Sequence, residues 1–138
     1  MQRGRNTETS LSVYFGVKIL LADDSADNRK LAQIILEKQG ASVQTVNNGL
    51  EAIRQAMAQR FDVILMDIQM PEMDGYEATR ALREAGSKVP IIALTAHAMA
   101  EERARSAAAG CNGHVTKPLD STALVDAIKR ISKGKTLS

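Results

Sequence analysis

Residues 61–75 read FDVILMDIQMPEMDG, and the order of residue types in this stretch decides the fold. Val63 to Met66 are four consecutive apolar residues without polar alternation, the pattern of a strand buried on both faces, as in a parallel sheet. The run stops at Asp67. Asp74 with Glu77 three residues on has the spacing of a capping box, opening a helix that runs to about Ala85 and is stopped by Gly86. Strand, acidic end, loop and capped helix make one βα unit.

The same unit recurs on either side. Val17 to Ala22 is an apolar strand broken only by Lys18, and the helix after it carries Leu31, Ile34 and Ile35 as its apolar stripe and ends at Gly40. Ser42 to Val46 alternates like a strand, and Asn48 with Glu51 opens a helix whose stripe is Leu50, Ile53 and Met57. Pro90 leads into the strand Ile91 to Leu94, followed by an Ala-rich helix over Glu101 to Ala109. His114 to Thr116 is a last short strand before Lys117-Pro118, and Asp120 caps a helix with Leu124, Ala127, Ile128 and Ile131 on one face. Five such units predict an α/β fold, a parallel sheet with helices on both faces and right-handed crossovers.

Length and composition bound the rest. A chain of 138 residues suits one domain, predicted over 17–133, with 1–16 as an N-terminal tail or linker and 134–138 as a C-terminal tail. The net charge is +2 and the basic residues are scattered, which argues against nucleic-acid binding. Leu11 to Ala22 resembles a secretory signal until Lys18 interrupts it and Asp23-Asp24 closes it, and no stretch is long enough to span a bilayer. Cys111 is the only cysteine, so neither an internal disulfide nor a cysteine zinc site is open to the chain, which suits the cytoplasm. It reads as a packing residue.

In a doubly wound sheet, ligands sit outside the carboxyl ends of the strands. Those ends carry Asp23 and Asp24 after the first strand, Asp67 after the third, Thr95 after the fourth and Lys117 after the fifth. Any one of them is ordinary at a strand end or helix start. Together at one edge they predict a site. Clustered carboxylates repel unless a cation joins them, and hard oxygen ligands without His or Cys nearby point to Mg²⁺ or Mn²⁺. A carboxylate is a competent nucleophile toward phosphorus, Lys117 supplies an ammonium for the transferring group, and Thr95 supplies a hydroxyl to hold a phosphate oxygen. Pro118 restricts the backbone of Lys117 and, if its peptide is cis, turns the chain there.

These motifs, in this order and spacing, resemble the response-regulator receiver domains over essentially all of residues 17–132. They are the apolar strand into Asp23-Asp24, Met66-Asp67-Ile68-Gln69-Met70-Pro71 with Met73-Asp74-Gly75, Leu94-Thr95-Ala96, and Lys117-Pro118. The resemblance implies a flavodoxin-like five-stranded sheet of order 2-1-3-4-5 with five helices. It also implies that Asp67 takes phosphate from a phosphohistidine, with Asp24 and Asp67 as direct Mg²⁺ ligands, Asp23 acting mainly through a water, and the Gln69 backbone carbonyl as the third protein ligand. Thr95 becomes the switch hydroxyl and Lys117 the partner of the phosphoryl group. His114 stands where the family commonly has a rotating Tyr or Phe, and two readings remain for it, a switching ring or a surface imidazole. Gln69 and His97, two residues past the acceptor and the switch, offer no obvious group to position an attacking water, which implies slow self-dephosphorylation.

Asn28-Arg29 and the run Ala93 to Ala98 are most like the receivers of hybrid sensor histidine kinases, and both a piece of such a kinase and a stand-alone regulator fit the chain. The expected partners are a sensor histidine kinase or a histidine phosphotransfer protein. A dimer through the fourth helix, fifth strand and fifth helix is a further expectation. On this reading the chain is not an enzyme but a switch. The alternative is a Mg²⁺-dependent phosphatase with an aspartyl nucleophile, which calls for a general acid and a substrate-capping insertion.

Overall fold

The computed structural model describes residues 16–97, 99–117 and 119–133. The expected tails at 1–16, except for Gly16, and at 134–138, and the backbone effect of Pro118, lie outside the described residues. Five strands and five helices alternate: β1 (Lys18–Ala22), α1 (Ala26–Lys38), β2 (Ser42–Val46), α2 (Gly49–Ala58), β3 (Val63–Asp67), α3 (Gly75–Glu84), β4 (Ile91–Thr95), α4 (Ala100–Ala109), β5 (Gly113–Thr116) and α5 (Ser121–Lys133). All strand pairs are parallel and the sheet order is β2-β1-β3-β4-β5, the flavodoxin-like arrangement.

Strand alternation sorts the apolar side chains into two layers. Ile19, Leu21, Val63, Leu65, Ile92 and Leu94 face one way, onto α1 and α5 through Ala32, Leu36, Leu124 and Ile128. Leu20, Ala22, Ile64, Met66 and Ile91 face the other, onto α2 and α3 through Ala52, Ala78 and Leu82. Every residue of the central strands β3 and β4 is buried, whereas the edge strand β2 is half-exposed, which is why its sequence alternates.

Two helices turn a different face inward than their apolar stripes predict. Leu31 and Ile34 of α1 are 44% and 49% exposed, and the residues against the sheet are Ala32 and Leu36, with Ile35 at the margin. In α2, Leu50 and Met57 are 49% and 54% exposed, whereas Ile53 of the same stripe packs at the margin of the core beside the buried Gly49 and Ala52. Gly49 lies against Met73 in the loop before α3, where an added Cβ would come within 2.7 Å of the Met73 carbonyl oxygen, so only a glycine fits there. Capping follows the sequence more closely. Asp74 and Glu77 form the full reciprocal box, while Asn48 accepts from the Glu51 amide but the Glu51 carboxylate turns to Arg54 at 2.7 Å, leaving half a box. Cys111 packs between the α3 and α4 layers, and burial pushes its thiol up.

Candidate functional site

Strand register brings the predicted residues to one edge. Ala22 pairs with Met66 and Asp67 with Leu94, so the residues that follow the apolar ends of β1 and β3 are Asp23 and Asp67, side by side. Thr95 and Thr116 pair at the ends of β4 and β5, and Lys117 comes next. One carboxylate oxygen each from Asp23, Asp24 and Asp67 lie within 4.8 Å of one another. Asp23 and Asp67 are buried and Asp24 is exposed, so the cluster opens to solvent on the Asp24 side.

Lys117 reaches into this cluster, with Nζ 3.0 Å from Asp67 Oδ1 and 3.6 Å from Asp23 Oδ2. Its backbone amide donates to the Thr95 carbonyl at 2.7 Å, which ties the lysine to the end of β4. The Gln69 amide donates to Asp67 Oδ1 at 3.2 Å, and the Ser25 amide donates to Asp23 Oδ1 at 2.9 Å. Asp67 Oδ2 and Asp23 Oδ2 are buried and accept no hydrogen bond. One ammonium therefore faces two buried carboxylates, and each keeps one oxygen without a hydrogen bond, Asp67 Oδ2 and, 3.6 Å from that ammonium, Asp23 Oδ2; such oxygens call for a further cation.

The Asp67 carboxyl is pushed from its ordinary 3.8 up to about 6. Burial is the main cause and the Asp23 charge adds to it, while Lys117 and the Gln69 amide pull the other way without prevailing. The Asp67 carboxyl is thus mostly ionised at neutral pH but held there at a cost.

Thr95 is buried at the same edge, yet its hydroxyl is engaged elsewhere. It donates to the His97 carbonyl at 3.2 Å and accepts from the His97 amide at 3.1 Å, so it is closed on its own loop. His97 itself is exposed. His114 is half-buried in β5, and burial together with Arg103 and Arg130 holds its imidazole below the ordinary range, so it is uncharged at neutral pH.

Two features of the site were not read from the sequence. Tyr76, the residue after Gly75, donates from its hydroxyl to Glu102 Oε1 at 2.5 Å and lies under the Arg105 guanidinium, 4.6 Å from the ring centre. This bond spans α3 and α4 beside Gln69, Thr95 and His97 around a cavity of about 220 Å³. Arg29 donates from Nη1 to the Asp23 carbonyl at 2.7 Å. Neither pairing has a spacing signal, because the partners are brought together by the turn of a helix or by separate helices.

Comparison with known proteins agrees with this geometry. The family model described as the response regulator receiver domain matches residues 19–129. Sensor histidine kinase GacS of Pseudomonas protegens is 39% identical over 116 residues, covering 80% of this chain and 13% of that protein. The chain thus spans about 13% of the length of the curated relatives it matches. Among solved structures, the receiver domain of a sensor histidine kinase of Pseudomonas aeruginosa, with a magnesium ion coordinated in its active-site cleft, is 41% identical. Its TM-score is 0.76, covering 83% of this chain and 96% of that one. The chemotaxis response regulator CheY4 of Vibrio cholerae is 33% identical with a TM-score of 0.79, covering 83% and 98%. No helix among the described residues is long and apolar enough to cross a membrane. With the fold, the strand-end residues and the family match in agreement over nearly the whole described chain, this chain belongs to the response regulator receiver domain family.

Proposed function

We propose that the chain is a phosphoacceptor switch in which Asp67 receives a phosphoryl group from a phosphohistidine of a sensor kinase or a histidine phosphotransfer protein. The observation that carries the reading is the group of three carboxylates within 4.8 Å with the Lys117 ammonium 3.0 Å from Asp67. In the transfer, an Asp67 oxygen forms a bond to phosphorus as the bond from phosphorus to the donor imidazole nitrogen breaks, its electron pair staying on that nitrogen. Lys117 neutralises charge on the arriving group. Thr95 leaves His97 to donate its hydroxyl to a phosphoryl oxygen.

Asp23, Asp24, Asp67 and the Gln69 backbone carbonyl would hold Mg²⁺, or Mn²⁺, which supplies charge neutralisation to the transferring phosphoryl oxygens. The bare buried oxygens of Asp23 and Asp67 fit such an ion. The face formed by α4, β5 and α5 then reports the state to a partner or a second copy in the cytoplasm, with His114 in it as the candidate ring for the switch. The chain keeps on Asp67 the phosphoryl group that it takes from the donor, which separates this reading from an aspartyl phosphatase.

Incubation with Mg²⁺ and acetyl phosphate is expected to add one phosphoryl group to the native chain, seen by intact mass, and none to Asp67→Asn. No gain on the native chain, or equal gain on the variant, overturns the reading.

Metal binding should depend on pH with a definite sign. Asp67 must lose its proton to act as a ligand, and its carboxyl titrates at about 6, so Mg²⁺ affinity is expected to fall about tenfold from pH 7 to pH 5. At ten times its dissociation constant at pH 7, Mg²⁺ should stabilise folding by roughly 1.4 kcal/mol, read from the melting temperature. An affinity flat between pH 7 and 5 would show that Asp67 is not a ligand.

A further inference from the structure

Asp24 is the exposed member of the carboxylate cluster, so its direction depends on its backbone more than on packing around it. The residues on either side of it are fastened. Asp23 has its amide on the Val46 carbonyl at 3.2 Å and its Oδ1 on the Ser25 amide at 2.9 Å, while the Ser25 hydroxyl caps α1 by accepting from the Asn28 amide. What remains free to rotate is the peptide that joins Asp23 to Asp24. Its carbonyl oxygen is the atom to which Arg29 donates from Nη1 at 2.7 Å. The bond reaches back six residues, from the first turns of α1 to the end of β1, and a charged donor makes it stronger than a neutral one.

We propose that Arg29 is a positioning residue for the divalent cation, fixing the plane of the Asp23–Asp24 peptide and so aiming the Asp24 carboxylate at Asp67. The inference rests on the cation reading above. Arg29 touches neither cation nor phosphoryl group. Its guanidinium sets the ψ of Asp23 and the φ of Asp24, from which the Asp24 side chain departs, and its charge stays outside the carboxylate cluster. Outer groups that orient metal ligands are worth a large share of metal affinity.

The test measures the Mg²⁺ dissociation constant of the full chain from the Mg²⁺ dependence of its melting temperature, for native protein, Arg29→Met and Arg29→Lys. Met keeps the length of the stem and removes the donor, so Mg²⁺ binding is expected to weaken about tenfold. Lys restores one donor and should recover part of that loss. The Mg²⁺ concentration for half-maximal labelling by acetyl phosphate should rise in step, with the labelling rate at saturating Mg²⁺ returning to within about twofold of native. A purely structural tie would lower the metal-free melting temperature and leave the dissociation constant alone, and that result overturns the proposal. If Arg29→Met does not fold, Arg29→Gln takes its place under the same criterion, and if neither folds the proposal is withdrawn. A native chain that shows no Mg²⁺ dependence overturns the cation reading itself, whereas a native response with an unchanged constant in Arg29→Met overturns only the role of Arg29.

Discussion

Replacing Asp67 by Asn is expected to make the metal-free protein more stable at pH 7, by about 1–3 kcal/mol, although the residue removed is a fully formed buried ion-pair partner. The upper bound comes from the titration. A carboxyl raised from 3.8 to about 6 costs the folded state about 3 kcal/mol once it is ionised. The gain falls short of that because Lys117 keeps only Asp23, at the longer distance of 3.6 Å. The sign follows from proton binding. Between pH 3.8 and about 6 the folded chain holds a proton on Asp67 that the unfolded chain has released, so native stability falls as pH rises through this window. The Asn variant lacks that fall. Urea unfolding with a chelator present should therefore show the two proteins equal below about pH 4 and the variant ahead above pH 6. Saturating Mg²⁺ should reverse the order by stabilising only the native chain. A variant destabilised at pH 7 without metal would mean that the Asp67 carboxylate holds the fold together and is not strained.

The site was more legible in the sequence than the helix packing around it because its residues are strand ends. Asp23, Asp24, Asp67, Thr95 and Lys117 each follow an apolar run, and a parallel sheet places all such ends at one edge, so five local patterns become one site without any knowledge of side-chain contacts. The caps at Asp74 and Asn48 were equally local. Leu31, Ile34, Leu50 and Met57 misled because periodicity marks an apolar face but not which of its residues meet the sheet, and in the structure Ala32, Leu36 and Ala52 are the buried ones. The direction of the Thr95 hydroxyl, the Tyr76–Glu102 bond across 26 residues and the Arg29 bond to Asp23 depend on rotamers and on which helices meet. Only the tertiary structure fixes those.

Gly75→Ala is expected to cost about 2–3 kcal/mol and to slow phosphorylation, and both effects have one cause. The Gly75 amide donates to the Ile68 carbonyl at 3.0 Å, which draws the start of α3 onto the residue after Asp67. A Cβ there would meet the Asp67 carbonyl oxygen, with Ile68 Cα at 2.9 Å and the Asp67 carbonyl carbon at 3.0 Å. These are backbone atoms at the end of a fully buried strand and cannot swing aside as a side-chain tip would. Either α3 retreats, straining the Asp74–Glu77 box, or the Asp67 peptide shifts and carries its carboxylate away from Lys117 and the other two aspartates. A displacement of about 1 Å at a reacting group is enough to slow transfer on the order of a hundredfold. Gly86→Ala is the matched control. Gly86 has φ +93 with nothing within 4 Å of its added Cβ, so Ala there is strained without crowding and should cost about 1 kcal/mol while leaving labelling unchanged. Urea midpoints and the rate of mass gain from acetyl phosphate separate the two variants. Equal behaviour in both measurements would show that the backbone at Gly75 yields freely and that the glycine does not set the position of Asp67.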